Sequence, residues 1–513
     1  MHTRQATSSA DDTTAGNVRL LLTVCLTAAL IPLSIASPAM SVPAIRADLG
    51  GSASALNWIN NAYLLTYGST TMVAGSLADI YGRKRVWLVG LLLFALATAL
   101  IPWSPSVAWL DLLRLTQGLG AAAGFAGAVA SLTQVFHGMA RVRVFSLIGM
   151  TFGAGGAFGP LFGGVLVEVL NWHWVFWIPA LLAVLAALMT KVYARETRDP
   201  APRGLDWPGA VSFTLALALL TYAVILAPER SWLNPWVVGS IAAALTLWAI
   251  FVVVELRAAD PMLDLRLFRN ARFVGVQCLA LAPAYSYVVL LFLLPARMIG
   301  VEGQGALDAG LRMIALSLPL LVVPMIASAL ARWFTVGLLC GVGLLIAAVG
   351  LYWLSRVIAF EHAGTVAPML LIGIGVGLPW GLMDGMAVSV VPKEQAGMAT
   401  GIFNAVRLVG DGLAYAVATA ILAAFVRTAL LSATQVPMPE DALTEISIRT
   451  ATGDLQHAAS LLIHAPDGLL RATYDDAFQK LLVFLSVLSA LTAGVMFTLL
   501  SSQHAHHVEE SRA

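Results

Sequence analysis

Four ionisable residues lie inside long apolar stretches of the sequence: Arg114, Asp384, Arg407 and Asp411. A charged side chain at membrane depth is costly unless it is paired or reaches water, so it indicates a function. A carboxylate in such a place can take up and release a proton, and an arginine can pair with it or with a charged ligand. We therefore expect these residues to couple proton movement to another event, with Asp384 as the first candidate for the protonation site.

The spacing of these residues suggests how they interact. Asn404, Arg407 and Asp411 follow one another at i, i+3 and i+7, which places them on one face of a helix. Arg407 and Asp411 are four residues apart and are expected to neutralise one another. Two interpretations stay open: a permanent pair that holds the helix in place, or a pair that protonation of Asp411 opens. Gln117 lies one turn after Arg114 and is placed to share its partner.

Aromatic and polar side chains near these charges are candidates for the wall of a substrate cavity. Trp58, Tyr63 and Trp380 fall on apolar segments, and flat aromatic faces bind lipophilic cations. Ser34, Gln117 and Asn404 complete this predicted wall. The alternative for the tryptophans is an anchor at the bilayer surface, where this residue type is common.

Apolar segments of about twenty residues must position these side chains. Of the 513 residues, 59% are apolar and 11% are charged, against roughly 45–50% and 25% in soluble domains. A helix of about twenty residues crosses the roughly 30 Å hydrocarbon core of a bilayer. The sequence predicts an all-α membrane protein with fourteen spans, near residues 19–42, 57–78, 86–103, 108–132, 144–170, 174–194, 207–228, 235–256, 273–296, 309–331, 334–356, 366–390, 398–425 and 480–501. Glu168, near the outer end of the fifth span, is expected in the headgroup zone.

Positive charges are distributed unevenly between the predicted loops. Of the 29 Lys and Arg residues, eighteen fall on the side of the N-terminus and nine on the other side, with Arg114 and Arg407 inside the membrane. Cytoplasmic loops are enriched in Lys and Arg, so both termini are expected in the cytoplasm.

The net charge of +1 gives no basis for a nucleic-acid partner. All three cysteines fall within spans, which implies no disulfide framework.

The loop after the second span, residues 75–85, reads Gly-Ser-Leu-Ala-Asp-Ile-Tyr-Gly-Arg-Lys-Arg. It resembles the signature loop of the major facilitator superfamily, Gly-x-Leu-x-Asp-x-x-Gly-Arg-Lys-x. Small residues let backbones approach closely, and basic residues anchor to acids or headgroups. The resemblance implies a latch whose aspartate faces the start of a later helix, here near Met398. The residues that it assigns to this latch are Gly75, Asp79, Gly82, Arg83 and Lys84.

Three further segments carry the resemblance. Residues 112–120 read Leu-Leu-Arg-Leu-Thr-Gln-Gly-Leu-Gly and resemble the fourth-helix motif Arg-x-x-Gln-Gly-x-Gly. Residues 155–164 resemble the Gly-x-x-x-Gly-Pro-x-x-Gly-Gly motif of proton-coupled exporters, in which glycines give a flat packing face and the proline bends the helix. The residues concerned are Gly155, Gly159, Pro160, Gly163 and Gly164. Residues 261–270 resemble a segment of the fourteen-helix drug:proton antiporters, which is the branch that the chain resembles.

The first span departs from this branch. Its members carry an aspartate there, and alignment on Val42 and Pro43 puts Ser34 at that position. A buried acid there would serve as a proton site and as the counter-ion of a cationic drug. Its absence leaves two alternatives: coupling through another acid, or a neutral or anionic substrate, with Arg114 or Arg407 holding the anion.

The resemblance implies a major facilitator fold of six, two and six transmembrane helices with the binding site between the two halves. The expected divisions are a cytoplasmic tail (1–18), a six-helix bundle (19–197), an inserted helix pair (205–257), a second six-helix bundle (271–501) and a cytoplasmic tail (502–513). The second bundle includes a polar segment, 427–479, which is expected outside the cell as short amphipathic helices over 441–449, 455–464 and 469–479. This segment is interpreted either as an ordered cap or as a lid over the outer mouth.

The expected function is multidrug efflux: secondary active export of lipophilic, often cationic compounds such as quaternary ammonium antiseptics, in exchange for protons. The first alternative is a facilitator or exporter of a neutral or anionic metabolite, and the second is a sensor that has lost transport.

No cofactor is expected beyond the proton gradient. The sequence has no Gly-x-x-x-x-Gly-Lys-Ser/Thr loop, and its His and Cys residues lack metal-ligand spacing outside the C-terminal tail, which argues against an enzyme. The expected partners are small lipophilic substrates, protons and lipid, and the expected form is a monomer in the inner membrane of a bacterium.

Overall fold

The computed structural model describes residues 2–136, 138–198, 206–258, 261, 263, 265–358, 362–391, 396–433, 439–462 and 468–500. Every regular element in these residues is a helix. Thirteen helical segments are long and apolar enough to cross a bilayer. The helix over the second predicted span, which is rich in Asn, Ser and Thr, is not among them. The predicted all-α membrane fold is confirmed, whereas the count of fourteen spans and the cytoplasmic location of the termini stay predictions.

The first half of the fold has six helices. They are α1 (His2–Leu49), α2 (Ala53–Tyr81), α3 (Arg83–Leu100), α4 (Val107–Val135), α5 (Gly138–Val169) and α6 (Trp174–Tyr193). The N-cap of α2 is Ser52, whose side chain accepts a hydrogen bond from the Ala55 backbone N–H. Gly82 is the C-cap of α2, and its φ of 109° favours a residue without a Cβ. We call the end of the bundle where α1 ends and α2 begins the outer end, since it is extracellular in the predicted orientation.

An additional helix pair follows the first half. α7 (Trp207–Arg230) and α8 (Pro235–Arg257) are capped by the side chains of Asp206 and Asn234, which accept backbone N–H groups of the first turn. α7 packs against α2 and against α15 (Ala396–Ala433), a helix of the second half. Val224 and Ile225 of α7 form an apolar cluster with residues of α15. The pair therefore covers one side of the interface between the two halves.

The second half begins with a helical segment in four pieces. α9 (Ala271–Pro283) and α10 (Val289–Pro295) are each followed by a π-helical turn, over Ala284–Val288 and Ala296–Val301. A proline occupies the last position of each α-helical piece, where its missing N–H interrupts the ladder of backbone hydrogen bonds. The helices that follow before α15 are α11 (Ala306–Ser317), α12 (Pro319–Leu330), α13 (Val336–Val357) and α14 (Val366–Ser389).

The polar segment near the C-terminus forms helices at the outer end. α16 (Glu440–Ala451) contains the predicted helix over 441–449, and α17 (Leu455–Ser460) lies within the predicted range 455–464. The third prediction is wrong in one respect, because residues 469–479 are the beginning of the last long helix, α18 (Leu469–Leu499). An ion pair supports this extension: Arg297 Nη1 lies 2.5 Å from Asp475 Oδ1. The sequence pattern could not show this partner, which is 178 residues away.

Candidate substrate and proton site

Arg114 lies in the first half of the fold and is held by neutral groups. Its side chain is buried, with 1% of its surface exposed. Nε donates to the carbonyl of Ile59 at 2.8 Å, and Nη1 donates to the carbonyl of Ser34 at 3.1 Å and to Gln117 Oε1 at 2.6 Å. Among the described residues, no carboxylate oxygen forms an ion pair with this guanidinium. Arg114 thus joins α4 to α1 and α2. Gln117 was expected to share a partner of Arg114, and the structure shows instead that it is itself one of the partners.

Arg407 lies in the second half and has a different partner from the one predicted. Its Nη1 is 3.5 Å from Asp384 Oδ1 of α14, and its guanidinium carbon lies 5.4 Å from the centre of the Trp380 ring. The predicted pair of Arg407 with Asp411 is therefore not the ion pair that the structure shows. The physical reason is that α14 packs beside α15 and brings its own carboxylate to the arginine. The side chain of Asp384 is 64% exposed, in contrast to that of Arg407, which is 14% exposed.

Asp411 is the second carboxylate of this region. The residue is 8% exposed, and its Oδ1 accepts no hydrogen bond from a described residue. Arg407, one turn earlier on α15, is the charge that acts on it. Isolated buried charges are costly, so such a group is stabilised by binding a proton or by moving towards a cation. Asp384 and Asp411 therefore both depend on Arg407, one from the neighbouring helix and one from its own. Asn404 lies on the same helix and is half-buried.

The aromatic residues predicted to line a cavity have other neighbours. Tyr63 is buried, and its ring centre lies 4.6 Å from the guanidinium carbon of Arg114. Trp380 contacts Arg407 and, edge to face, the ring of Tyr287 at 6.0 Å. Trp58 does not belong to the same region, because it packs against the cluster between α7 and α15. That contact corrects the prediction for Trp58, and its cause is the position of the inserted pair, which the sequence did not give.

Several contacts join the two halves at the outer end. Tyr415 of α15 donates a hydrogen bond to Asn57 Oδ1 of α2 at 3.1 Å. Glu168 of α5 is exposed, and its Oε2 accepts the Ala306 backbone N–H at 3.1 Å. Ala306 is the first residue of α11, so this carboxylate lies at the positive end of a helix of the other half. These contacts hold the outer ends of the halves together in this structure.

The loop between α16 and α17 adds a further connection at this end. Arg46, on α1, lies 3.8 Å from Asp454 Oδ2 and donates to the carbonyl of Thr452 at 3.5 Å. Asp454 also pairs with Arg449 at 3.1 Å and with His457 at 2.8 Å. Burial alone would raise the pKa of Asp454, but the hydrogen bond of His457 and the charge of Arg46 outweigh it and lower the pKa below its ordinary value. Asp454 thus ties the first half to this loop as an ionised group.

The glycine motif of α5 lies between α1 and α11. A Cβ built on Gly155 would come 2.5 Å from Pro32 Cγ, and one on Gly163 would come 2.5 Å from the Ser37 carbonyl. Gly159 is equally close to Ala36, and its carbonyl accepts a hydrogen bond from Ser37 Oγ at 2.9 Å. Gly164 faces the backbone of Ala306 on the other side, and Pro160 contacts Gly310 of α11. Close backbone packing at this motif is therefore present both within the first half and across the interface.

The signature loop closes on the first half itself. Asp79 Oδ1 accepts hydrogen bonds from Arg83 Nε at 3.0 Å and Nη2 at 2.8 Å. The Lys84 ammonium donates to the carbonyl of Lys191 at 2.8 Å, and a Cβ on Gly82 would meet Glu196 at 2.5 Å. The predicted contact of Asp79 with the helix start near Met398 involves a side chain outside the described ones.

Gly75 corrects a further expectation for the signature loop. Small residues there were expected to permit close backbone approach, but no heavy atom lies within 4 Å of a Cβ built at Gly75. A side chain at position 75 would point into open space, so of these two glycines only Gly82 has the expected close neighbour.

Sequence reasoning missed the residues that connect these sites. Tyr67 stacks on Tyr63 with ring centres 5.8 Å apart, and Tyr287 shares a 2.8 Å hydrogen bond with Ser317. Asn57 and the polar run that follows it on α2 were the available signal, since amides at membrane depth are costly without partners. In the described part of the chain no group of three or more His, Cys, Asp or Glu residues is arranged to hold a metal ion.

Comparison with known proteins places this geometry in a family. Residues 22–415 match the Major Facilitator Superfamily. The chain is 34% identical over 405 residues to the cephamycin export protein CmcT of Amycolatopsis lactamdurans, covering 77% of this chain and 83% of that protein. It is 29% identical over 412 residues to the multidrug resistance protein Stp of Mycobacterium tuberculosis, covering 79% and 75%. The bacterial relatives and the many spans identify a multi-pass protein of the bacterial inner membrane.

A solved structure shows the same fold. The crystal structure of a bacterial homologue of the human lysosomal transporter Spinster, in an inward-facing and unoccupied conformation, superposes with a TM-score of 0.65 at 17% identity, covering 95% of this chain and 96% of that chain. That likeness concerns the fold alone. Sequence and structure together show that the chain belongs to the major facilitator superfamily of membrane transporters.

Proposed function

We propose that this protein is a secondary active exporter of lipophilic, drug-like compounds that exchanges its substrate for protons. The relatives named above are an export protein and a resistance protein, which supports export of foreign or toxic compounds. The glycine-rich packing of α5 on α1 and α11 supports a mechanism in which the halves move against one another. No cofactor takes part in this proposal, since the proton gradient supplies the free energy.

The observation that carries the proposal is the sharing of Arg407 by two carboxylates. Asp384 pairs with Arg407 at 3.5 Å, while Asp411 is buried with an unpartnered oxygen on the same helix as the arginine. Both carboxylates cannot be satisfied by this one cation in the observed arrangement. A proton on Asp411 removes its need for a partner, and loss of that proton draws Arg407 away from Asp384. The protonation state of the group is thereby linked to the contact between α14 and α15.

Access to this group differs between the two ends of the protein. The side chain of Asp384 is largely exposed, and it lies five residues before the end of α14 at Ser389. That separation corresponds to about 7.5 Å along a helix at 1.5 Å per residue. At the opposite end, Asn57 and Tyr415 join the halves, and Asp454 binds Arg46. We infer that this state takes up substrate from the inner side, and that the outer contacts break when substrate is released.

Export from whole cells tests the proposal. Cells that express the protein are loaded with a panel of lipophilic dyes, among them cationic ethidium and anionic fluorescein, and intracellular fluorescence is followed. We expect lower accumulation of at least one dye than in cells that express Asp384→Asn at a matched level, and we expect an uncoupler to remove the difference. Accumulation that expression leaves unchanged for every dye would contradict export. Export that survives the uncoupler would contradict proton exchange.

A further inference from the structure

Arg114 forms no ion pair with a described carboxylate, although the carboxylate of Asp111, one turn earlier on α4, acts on its charge. Its hydrogen bonds go to two backbone carbonyls and to the amide oxygen of Gln117. These dipoles stabilise the guanidinium, but they carry no negative charge, and the residue is 1% exposed. Nη2 takes part in none of these bonds. A buried cation of this kind favours an anion as its remaining neighbour.

Two buried hydroxyl groups near Arg114 have no partner. Ser34 Oγ and Tyr63 OH accept and donate no hydrogen bond within the described part of the chain, although Ser34 is 3% exposed and Tyr63 is fully buried. Both residues contact Arg114, through the Ser34 carbonyl and through the face of the Tyr63 ring. Buried polar groups are nearly always satisfied, so these two require an explanation. A hydroxyl group can donate to a carboxylate, and a guanidinium can bind one through two parallel N–H groups.

The aromatic faces that would attract a cationic substrate are already occupied. The Tyr63 ring lies against Arg114 at 4.6 Å, and the Trp380 ring lies against Arg407 at 5.4 Å. Trp58 packs in the cluster with α7. The rings predicted to hold lipophilic cations therefore either carry a cation of the protein itself or pack away from the charged groups. A second cation near Arg114 would be repelled.

We propose that Arg114 and the hydroxyls of Ser34 and Tyr63 form a subsite for an anionic group, so that the protein prefers lipophilic anions, such as aromatic carboxylates, to quaternary ammonium cations. This proposal rests on the proposed export function and names its substrate class. The three groups are buried in this structure, so a substrate must reach them through movement of the surrounding helices. Ser34 decides the preference: a carboxylate at this position would neutralise Arg114 and occupy the place of the substrate anion.

Binding of two dyes to the purified full-length protein in lipid nanodiscs tests this inference. Fluorescein is the anionic probe and ethidium is the cationic probe, and equilibrium dialysis at neutral pH measures both. We expect fluorescein to bind at least about tenfold more tightly than ethidium, since a charge-assisted hydrogen bond contributes enough for such a ratio. Ser34→Asp should weaken fluorescein binding about tenfold and strengthen ethidium binding. Ser34→Asn, which has nearly the same shape and no charge, is the matched control and should leave the order of the two dyes unchanged.

Substitution of Ser34 keeps the arginine and its structural bonds, so a misfolded protein is not the expected result, and thermal unfolding of both variants verifies this. The inference is overturned if ethidium binds as tightly as fluorescein, if neither dye binds, or if Ser34→Asp and Ser34→Asn behave alike. Its failure is distinguishable from failure of the proposed function. Export of both dyes without a charge preference removes only the anion subsite, whereas selective fluorescein binding without export removes only the transport function.

Discussion

Arg407 of α15 pairs with Asp384 of α14 at 3.5 Å, although Asp411 lies one turn away on its own helix. Spacing along the helix would have assigned Arg407 to Asp411, whereas the structure pairs Arg407 with Asp384. The exposed carboxylate of Asp384 pairs with the arginine, and the buried carboxylate of Asp411 has an oxygen without a hydrogen-bond partner. A proton and a change of partner are therefore linked in the proposed mechanism, and each carboxylate can be tested by itself.

Asp384→Asn should abolish export without loss of protein. The amide keeps the shape of the side chain but removes the charge that holds Arg407, so the pair no longer responds to protons. Dye efflux from cells at matched expression measures the effect, and we expect at least about a tenfold loss, the size of effect that loss of a charged hydrogen-bond partner produces. Asp441→Asn, which removes an exposed carboxylate on α16, is the control and should export normally. Full activity of Asp384→Asn would exclude this residue from the proton path.

Asp411→Asn should separate proton coupling from substrate movement. The substitution imitates the protonated carboxyl group, so Arg407 stays with Asp384 in every state. In proteoliposomes we expect export driven by a pH gradient to stop, while exchange of labelled for unlabelled dye continues. The experiment uses whichever dye of the panel the wild-type protein exports. Gradient-driven export at the wild-type rate would show that Asp411 carries no exchanged proton.

Gly68→Ala should weaken the contact between α2 and α15. A Cβ at this position would come 2.9 Å from Val409 N and 3.0 Å from the carbonyl carbon of Leu408, and neither backbone atom can move aside alone. Overpacking of this kind costs about 1–3 kcal/mol. Thermal unfolding and dye efflux should both decline. Gly75→Ala, seven residues later on the same helix with no heavy atom within 4 Å of the built Cβ, is the matched control and should behave like the wild-type protein.

Sequence patterns predicted the structural features that are determined by residues close together in the chain. Segment length and apolarity located the helices, and the spacing of the motif at Gly155 predicted a packing face that the structure shows against α1 and α11. The partner of Arg407 could not be predicted in this way, because i, i+4 spacing reports only neighbours on the same helix and α14 approaches from elsewhere in the sequence. Trp58 was misplaced for the same reason, since α7 covers it. Gly68 gave no signal, because a single glycine in a helix has many explanations.

A short cross-link between positions 57 and 415 should block transport. The side chains of Asn57 and Tyr415 meet across the two halves at 3.1 Å through the tip of the tyrosine, so cysteines there are joined by a bifunctional methanethiosulfonate reagent that spans the length of the lost ring and holds the outer end closed. Asn57→Cys and Tyr415→Cys are introduced together into a protein whose native cysteines, Cys25, Cys278 and Cys340, are replaced by alanine. We expect the reagent to stop dye efflux, and a reducing agent, which cleaves its bonds to both cysteines, to restore it. Efflux that continues after complete cross-linking would show that the outer end does not open there.

Acid should release the loop between α16 and α17 from α1, and Asp454 should determine the pH. Burial raises the pKa of Asp454, yet the hydrogen bond of His457 and the charge of Arg46 leave it below its ordinary value, so its contribution to stability is present at neutral pH. That contribution is lost as the pH falls through the lowered pKa, below about pH 4, where carboxyl groups of this type ordinarily begin to take up protons. The groups that face it are Arg46, Arg449 and His457, with Glu445 next to Arg449.

Hydrogen exchange over residues 440–460, corrected for the intrinsic effect of pH, should show protection at pH 7 and pH 5 that disappears below about pH 4. In Asp454→Asn the protection should already be low at pH 7 and should show no acid step, whereas Asp441→Asn should retain the wild-type profile. An acid step that persists in Asp454→Asn would assign the transition to another group and would leave Arg46 without a role in holding the loop.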